Sequence, residues 1–340
     1  MQFVTFTAPD EEQRALPTLG VLSADQDGER LVINLPAAAK WAKANLGLPI
    51  EDRSDTVFEL INGSTTALRY ARNVVHSLEG QKPLELETAT GQKIAYSLDA
   101  VDLLPPLLRP MSLRDFYAFE AHVAAANANR GRQVPEEWYN FPVFYFSNPN
   151  AIFGPGETVP YPSYTKQLDY ELEVACVIGR PGVNIKAEDA EQYIFGYTIF
   201  NDWSARDVQA LEMRVGLGPA KGKDFAASLG PAIVTPDELT DWSAGRPGVY
   251  DLEMTARVNG EQRSRGNWKD LYYSFGDMIA RASQDVYLLP GDVIGSGTVG
   301  TGCLLELTKG QGPWLQPGDR VDLEIERLGV LTNRVASRML

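Results

Sequence analysis

The sequence has few cysteines and no long hydrophobic run, and each shortage excludes a class of protein. Only two cysteines occur among 340 residues, and Cys176 and Cys303 both stand among apolar neighbours, so a disulfide framework is not expected. No apolar stretch approaches the roughly 20 residues that span a bilayer. The first residues also lack the charged start and apolar core of a signal peptide. The sequence therefore predicts a cytoplasmic protein that does not associate with a membrane.

Positive charge is also scarce. Lysine and arginine number 31 against 45 acidic residues, and the net charge of −14 argues against a nucleic-acid partner or an anionic membrane surface. The chain is longer than one hydrophobic core usually supports, which favours one large and one smaller domain. The proline-rich run 104–110 suits a domain boundary. We expect a small N-terminal domain over residues 1–104 and a catalytic domain over residues 105–340.

The N-terminal segment shows short alternating elements and no concentrated chemistry. Residues 18–22 and 30–35 are typical of strands, and stretches near 37–45 and 55–77 are typical of helices. Turns at Asp27-Gly28 and Thr90-Gly91 separate such pieces.

Two carboxylates interrupt the apolar run of residues 168–179, which is typical of a buried strand. Because side chains alternate along a strand, Glu171 and Glu173 project to the same face. Ionised carboxylates in an apolar sheet cost several kcal/mol each unless a cation offsets them. The pair therefore indicates a metal ion or lysine and arginine partners, unless this face of the strand is exposed to solvent.

A helix is predicted over residues 112–125, with Ser112 as its N-cap and Asp115 three residues later. Asp115 and His122 are two helical turns apart, so a continuous helix would place them on one face. The alternative is that Asp115 only completes a capping box and His122 is an ordinary histidine. His76 is the only other histidine in the chain.

Residues 195–209 begin as an apolar strand and continue as a helix. Ser204 and Asp207 form a capping signature, which leaves Asp202 available for coordination. Arg206 and Gln209 are three residues apart and share a helix face. A helix start held by salt bridges is the alternative interpretation.

Two glycine-rich segments match nucleotide-binding patterns only superficially. The segment 216–225 carries Lys223 but lacks the Gly-Lys-Ser/Thr of a P-loop. Residues 295–300 have three correctly spaced glycines, but residues 303–308 look extended where a dinucleotide fold needs a helix. We interpret this segment as a turn between two strands, the second of which carries Glu306 among leucines.

These motifs, in this order, resemble the fumarylacetoacetase (fumarylacetoacetate hydrolase) superfamily over roughly residues 105–335. The resemblance rests on Asp115-Phe-Tyr with His122, Leu168-Asp-Tyr-Glu-Leu-Glu173, Asn201-Asp-Trp-Ser-Ala-Arg-Asp207 with Gln209, Gly218-Pro with Gly222-Lys223-Asp-Phe225, and Gly291-Asp with Ser296-Gly-Thr298 and Leu305-Glu-Leu307. It implies a mainly β fold with α elements (α+β), comprising a mixed-sheet β-roll catalytic domain and a small β-rich N-terminal domain. It also implies a homodimer.

The resemblance assigns roles to twelve residues. It implies a divalent cation ligated by Asp115, Glu171, Glu173 and Asp202, and oxygen-only ligation suits Mg²⁺ first, with Ca²⁺ or Mn²⁺ as alternatives, rather than zinc. It implies that His122 is the base that activates water and that Glu306 orients His122. It also implies that the oxyanion is stabilised by hydrogen bonds from Arg206, Gln209 and Lys223. Arg130, Tyr145 and Thr298 resemble substrate-binding residues.

The implied reaction is hydrolysis of a C–C bond in a β-diketo or acylpyruvate-type acid, in aromatic-compound catabolism. Met213 stands about where the animal-type enzyme has a substrate-binding tyrosine, so an acylpyruvate is expected rather than fumarylacetoacetate itself. Relatives with the same metal site decarboxylate oxaloacetate, or isomerise or hydrate 2-oxo acids, and these reactions remain alternatives. A catalytically silent binding protein on this fold is a third interpretation.

Overall fold

Strands dominate the part of the chain that the computed structural model describes, residues 1–8, 16–24, 28–49 and 54–338. The strands are β1 (Gln2–Thr7), β2 (Thr18–Ala24), β3 (Arg30–Asn34), β4 (Ala95–Ser97), β5 (Asp102–Leu104), β6 (Leu113–Phe116), β7 (Phe144–Ser147), β8 (Ile152–Phe153), β9 (Thr158–Tyr161), β10 (Leu168–Asp169), β11 (Leu172–Ile178), β12 (Ile194–Asp202), β13 (Ser204–Ala205), β14 (Ala227–Val234), β15 (Glu253–Val258), β16 (Glu261–Asn267), β17 (Val293–Gly295), β18 (Arg320–Ile325) and β19 (Gly329–Arg338). The helices are α1 (Leu35–Leu46), α2 (Val57–Asn62), α3 (Ser64–His76), α4 (Glu120–Ala128), α5 (Arg206–Val215), α6 (Phe275–Ala282) and α7 (Leu304–Leu307).

The strands form one large mixed sheet and two smaller sheets. The large sheet runs in the order β4-β3-β2-β1-β14-β12-β11-β17-β6-β7, with β5 paired to β1 and β8 paired to β14. A second sheet has the order β16-β15-β18-β19-β9, and β10 pairs with β13. Parallel pairs (β8 with β14, β6 with β17, β9 with β19) occur beside antiparallel ones. The prediction of a mainly β, mixed-sheet fold with helices is confirmed.

The N-terminal elements lie where the sequence predicts them and join the large sheet directly. Strands β2 and β3 and helices α1, α2 and α3 cover the predicted stretches. Strand β1 pairs with β14 through Phe3 and Ile233, so the sheet continues across the proposed boundary. The division into residues 1–104 and 105–340 stays a prediction. Asp27 of the predicted Asp27-Gly28 turn lies outside the described residues.

The central strands β11 and β12 carry acidic residues, Glu173 and Asp202, in a buried part of the sheet. Every residue of both strands is buried. Strands that are covered on both faces are almost continuously apolar, as these are. Carboxylates at these positions therefore require partners within the protein. Among the described helices, none is both long and apolar enough to cross a bilayer.

The predicted helix over residues 112–125 is wrong in its first half. Residues Leu113–Phe116 form β6, in parallel register with β17 and antiparallel register with β7. Ser112 Oγ donates to Asp292 Oδ1 at 2.6 Å instead of capping a helix. Pairing with two neighbouring strands overrides the local capping signal. Asp115 therefore lies on a strand and His122 on α4, so the shared helix face does not exist.

Two further local predictions are wrong. Ser204 does not cap α5, because its Oγ donates to the Asp202 carbonyl at 3.0 Å and Asp207 accepts from the backbone N–H of Lys166 at 2.9 Å. Residues 304–307 form α7 rather than a strand, so Glu306 is helical. The partner of Asp207 is distant in sequence, whereas Ser204 bonds a residue only 2 positions away.

Candidate active site

Four buried carboxylates converge at the ends of the central strands. Asp115 lies on β6, Glu173 on β11 and Asp202 at the end of β12, while Glu171 directly precedes β11. One carboxylate oxygen from each of the four lies within 4.8 Å of the others. Sheet pairing brings together residues that are almost 90 positions apart in the sequence.

Gly295 on β17 makes room for this cluster. It lies in register with Asp115 on one neighbouring strand and with Ala175 on the other. A Cβ at Gly295 would lie 2.6 Å from Asp115 Oδ1 and 2.8 Å from Phe200 Cε1. The Asp115 carboxylate occupies that space, and it accepts a hydrogen bond from Gly297 N–H at 3.1 Å. Glycine at 295 thus permits the carboxylate to turn toward Glu173.

The four carboxylates have unequal electrostatic environments. Lys223 Nζ contacts Glu171 and Asp202, and Arg206 Nη1 lies 2.7 Å from Glu171 Oε1. Burial alone would raise the pKa of Glu171, but Lys223 and Arg206 outweigh it and hold that pKa below its usual value. Burial and the neighbouring carboxylates instead raise the pKa of Asp115 and of Glu173 well above the usual range. Cationic side chains therefore contact the cluster on the side of Glu171 and Asp202.

The cluster fits a divalent cation. Glu173 Oε2 and Asp202 Oδ1 are buried and have no hydrogen-bond partner among the residues that the structure describes. A buried charged oxygen without a partner is costly, because it loses its hydration and gains nothing in return. Ligands that are all oxygen are those that Mg²⁺, Mn²⁺ and Ca²⁺ prefer. The four acidic residues could therefore hold such an ion.

A histidine–glutamate pair stands beside the carboxylates. His122 on α4 contacts Glu306 on α7 through Nδ1, and both side chains are buried. Glu306 Oε2 also accepts from Thr301 N–H at 2.9 Å, and the ring of Tyr117 packs edge-on against His122 at 5.3 Å. The carboxylate thus fixes the orientation of the imidazole and leaves Nε2 as the nitrogen that can exchange a proton.

Most of the predicted site residues line one cavity of about 310 Å³. Ten of them line it: Asp115, His122, Arg130, Tyr145, Glu171, Glu173, Arg206, Gln209, Lys223 and Thr298. Asp202 and Glu306 stand behind this lining, where they contact Lys223 and His122 respectively. The structure therefore brings all twelve predicted residues to one place.

Several polar groups in the cavity are already oriented. Tyr145 donates its hydroxyl hydrogen bond to Asp202, and burial raises the pKa of Tyr145, so the phenol stays protonated. Arg206 Nη1 donates to Gln209 Oε1 at 3.1 Å, while Arg206 Nη2 is buried and has no partner within the described part of the chain. Thr298 Oγ1 lies 3.3 Å from Glu173 Oε1. A buried guanidinium N–H without a partner suits an anionic ligand.

Sequence reasoning assigned no role to Asp169, although the structure places it directly behind Arg206. Its carboxylate accepts from Arg206 Nε at 2.8 Å and is fully buried. The alternation of Asp169, Glu171 and Glu173 at every second position was the signal that could have identified it.

Comparisons with known proteins agree with this geometry. The family model described as fumarylacetoacetate (FAA) hydrolase C-terminal matches residues 112–336. "Oxaloacetate tautomerase Fahd2a, mitochondrial" of Rattus norvegicus is 38% identical over 197 residues, which cover 57% of this chain and 58% of the rat protein. "Oxaloacetate tautomerase YisK" of Bacillus subtilis is 32% identical over 244 residues, 71% of this chain and 75% of that protein.

A solved structure matches the whole fold. Maleylpyruvate hydrolase from Sphingobium sp. SYK-6, in complex with manganese(II) and pyruvate, has a TM-score of 0.66 and 23% identity, and the match covers 100% of each chain. The likeness to tautomerases thus comes from sequence, and the likeness to this hydrolase is one of fold. With a family match over residues 112–336, this chain belongs to the fumarylacetoacetate hydrolase superfamily, a family of enzymes.

Proposed function

We propose that this protein is a divalent-metal enzyme that interconverts the keto and enol forms of oxaloacetate or a related 2-oxo acid. One observation carries the proposal: a buried four-carboxylate cluster shares a cavity with two buried cations, Arg206 and Lys223. Such a cavity suits a small anion that presents neighbouring oxygens. The names of the two relatives support tautomerisation, which moves it ahead of the C–C hydrolysis that the sequence favoured.

The cation would be held by Asp115, Glu171, Glu173 and Asp202. When bound, it supplies electrostatic stabilisation for negative charge on the oxygens of a 2-oxo acid or its enolate. The oxygen donors support Mg²⁺ and Mn²⁺ alike.

The chain's own residues account for binding and proton transfer. The unpartnered Nη2 of Arg206 would hold the substrate carboxylate, with Gln209 beside it. His122 would take the proton from C3 through Nε2, while Glu306 holds the ring by its contact with Nδ1. Lys223 would donate a hydrogen bond to the C2 oxygen as that oxygen gains charge. Transfer of that proton from His122 Nε2 to the C2 oxygen completes the enol.

The direct test follows the enol absorbance of freshly dissolved oxaloacetate with Mg²⁺ or Mn²⁺ present. Keto–enol relaxation should be faster with enzyme than in matched buffer, without loss of total oxaloacetate. A relaxation rate equal to that of the buffer would refute the proposal. Release of CO₂ would instead identify decarboxylation as the activity.

A second candidate is hydrolysis of an acylpyruvate, and the contact between His122 and Glu306 favours it. The same imidazole could take a proton from water as the water attacks a carbonyl, with Arg206, Gln209 and Lys223 stabilising the oxyanion. Screening acylpyruvates and fumarylpyruvate with Mg²⁺ or Mn²⁺, followed by mass spectrometry, tests this reaction. Two acid products identify it, and their absence excludes it for the compounds tested.

We also propose a homodimer. Large apolar side chains lie exposed near the cavity, including Val215 at 82%, Leu217 at 91% and Phe146 at 65% exposure. Burial of such surface favours association. Light scattering coupled to size-exclusion chromatography should give twice the chain mass, and a monomer mass would refute the proposal. A cytoplasmic location and a role in aromatic-compound catabolism stay predictions from the sequence.

A further inference from the structure

Asp169 connects two parts of the site that are far apart in the sequence. It lies on β10, which pairs with β13 so that Asp169 is in register with Ser204, two residues before Arg206. The side chain is fully buried, and both of its oxygens are used. Its surroundings are therefore fixed by backbone pairing rather than by chance packing.

One set of contacts leads to Arg206. Asp169 Oδ2 accepts from Arg206 Nε at 2.8 Å, while Arg206 Nη1 is engaged by Glu171 and Gln209. With Nε and Nη1 held, the plane of the guanidinium is determined. The remaining group, Nη2, belongs to a residue that lines the cavity, and it is buried with no partner in the described ranges of the chain.

The other set of contacts leads to the helix that carries Glu306. Asp169 Oδ1 accepts from Leu304 N–H at 2.8 Å, and Oδ2 accepts from Leu305 N–H at 2.9 Å. These are the first amides of α7, which have no partner within their own helix. The same carboxylate therefore anchors the short segment from which Glu306 reaches His122.

We propose that Asp169 is a positioning residue, which aims Arg206 at the substrate's carboxylate and anchors α7 so that Glu306 can orient His122. This inference rests on the proposed function, because it assumes an anionic substrate at Arg206. Asp169 itself touches neither the cavity nor the carboxylate cluster, so its effect is transmitted through the two groups that it holds.

Asp169→Asn is the informative variant, since it keeps the size of the side chain but replaces an acceptor oxygen with a donor. The matched control is Asp292→Asn, because Asp292 is another buried carboxylate that accepts a backbone N–H and lies near an arginine, Arg114. Calorimetry measures the affinity of the Mn²⁺-loaded protein for oxalate, a planar dianion with neighbouring oxygens. Hydrogen exchange of residues 303–308 reports on α7 independently of any ligand.

Asp169→Asn should weaken oxalate binding and reduce kcat/KM by about 10–100-fold, the range for groups that orient a ligand-binding side chain. Exchange at residues 303–308 should become faster, and Asp292→Asn should change none of these. In an Arg206→Ala background, the same substitution should cost much less oxalate affinity than in the wild type. Equal losses in both backgrounds, or faster exchange with unchanged affinity, would overturn the proposal.

If Asp169→Asn does not fold, Asp169→Glu replaces it, with the same expected losses, because the carboxylate is displaced by one methylene. Unchanged oxalate affinity and unchanged exchange in that variant would also overturn the proposal. Absence of tautomerase activity in the wild type would refute the proposed function alone, since oxalate binding and exchange require no turnover. Failure of the Mn²⁺-loaded wild type to bind oxalate would refute both.

Discussion

The two halves of the candidate site are built in different ways. The carboxylates Asp115, Glu173 and Asp202 lie on three strands of one sheet, β6, β11 and β12, whereas His122 and Glu306 come from two short helices, α4 and α7. Strand register positions the first group through many backbone hydrogen bonds. The second group depends on side-chain contacts and on the anchoring of a four-residue helix.

This difference suggests that the carboxylates and the His122–Glu306 pair have separate roles. A sheet that is buried on both faces resists local opening, so a cation site built on it keeps its geometry. His122 and Glu306 are held instead by their contact with each other and by the hydrogen bonds at the start of α7. We therefore expect that substitutions in one half leave the other half largely intact, and the predictions below test that separation.

The largest effect is expected from His122→Ala. Loss of the proton-transferring group should reduce turnover by about 10²–10⁴-fold, the usual range for a general acid–base residue, with metal affinity unchanged. Steady-state kinetics and metal calorimetry on one preparation measure both quantities. His76→Ala is the control, because His76 is exposed and pairs with Glu79 away from the cavity. A parallel loss of metal binding would show that the two halves are not separable.

Glu173→Gln should disrupt metal binding by the carboxylate half of the site. Removing a carboxylate from the cluster should weaken Mg²⁺ or Mn²⁺ binding at least tenfold, since it removes a charged oxygen ligand while the fold persists. Calorimetry with each ion measures the affinity. Glu324→Gln on β18, a partly exposed strand residue paired with Arg257, should have no effect. Unchanged affinity in Glu173→Gln would refute the assignment of the cluster as the metal site.

Chelation should act on stability as well as on turnover. A cation at 100 times its Kd stabilises the folded state by about 2.7 kcal/mol, and for a chain of this size that corresponds to a Tm shift of about 4 °C. Scanning calorimetry with and without excess chelator measures the shift. The Glu173→Gln protein should show a much smaller shift. An identical shift in both proteins would place the stabilising ion elsewhere.

The smallest effect is expected from Thr298→Val. Its hydroxyl contributes one long hydrogen bond to Glu173, and loss of a bond worth about 1 kcal/mol corresponds to roughly fivefold weaker metal binding. Thr255→Val is a matched control, because Thr255 Oγ1 is buried and no described residue bonds it. A loss as large as that of Glu173→Gln would mean that Thr298 is a principal ligand-binding group rather than a support.

The secondary structure of the site was predicted only in part. The strand character of residues 172–178 followed from their apolar composition, and the structure agrees. The capping signal at Ser112 pointed to the wrong conformation, since β6 gains more from pairing with β7 and β17 than from a local cap. The helix expected after Ser204 does form as α5, but Ser204 does not cap it. Helix α7 was missed because four residues are too few for a helical pattern to be visible.

The sequence alone determined which chemical groups the site contains. Acidic residues within apolar strands and a scarcity of histidine limited the candidates, and the ordered motifs identified the superfamily. Only the tertiary structure decided how these groups meet: which carboxylates have cationic partners, which oxygens remain unpaired, and that Asp169 holds both Arg206 and α7. The physical reason is that such contacts join residues distant in the chain, and their energies depend on burial and distance, neither of which a linear pattern contains.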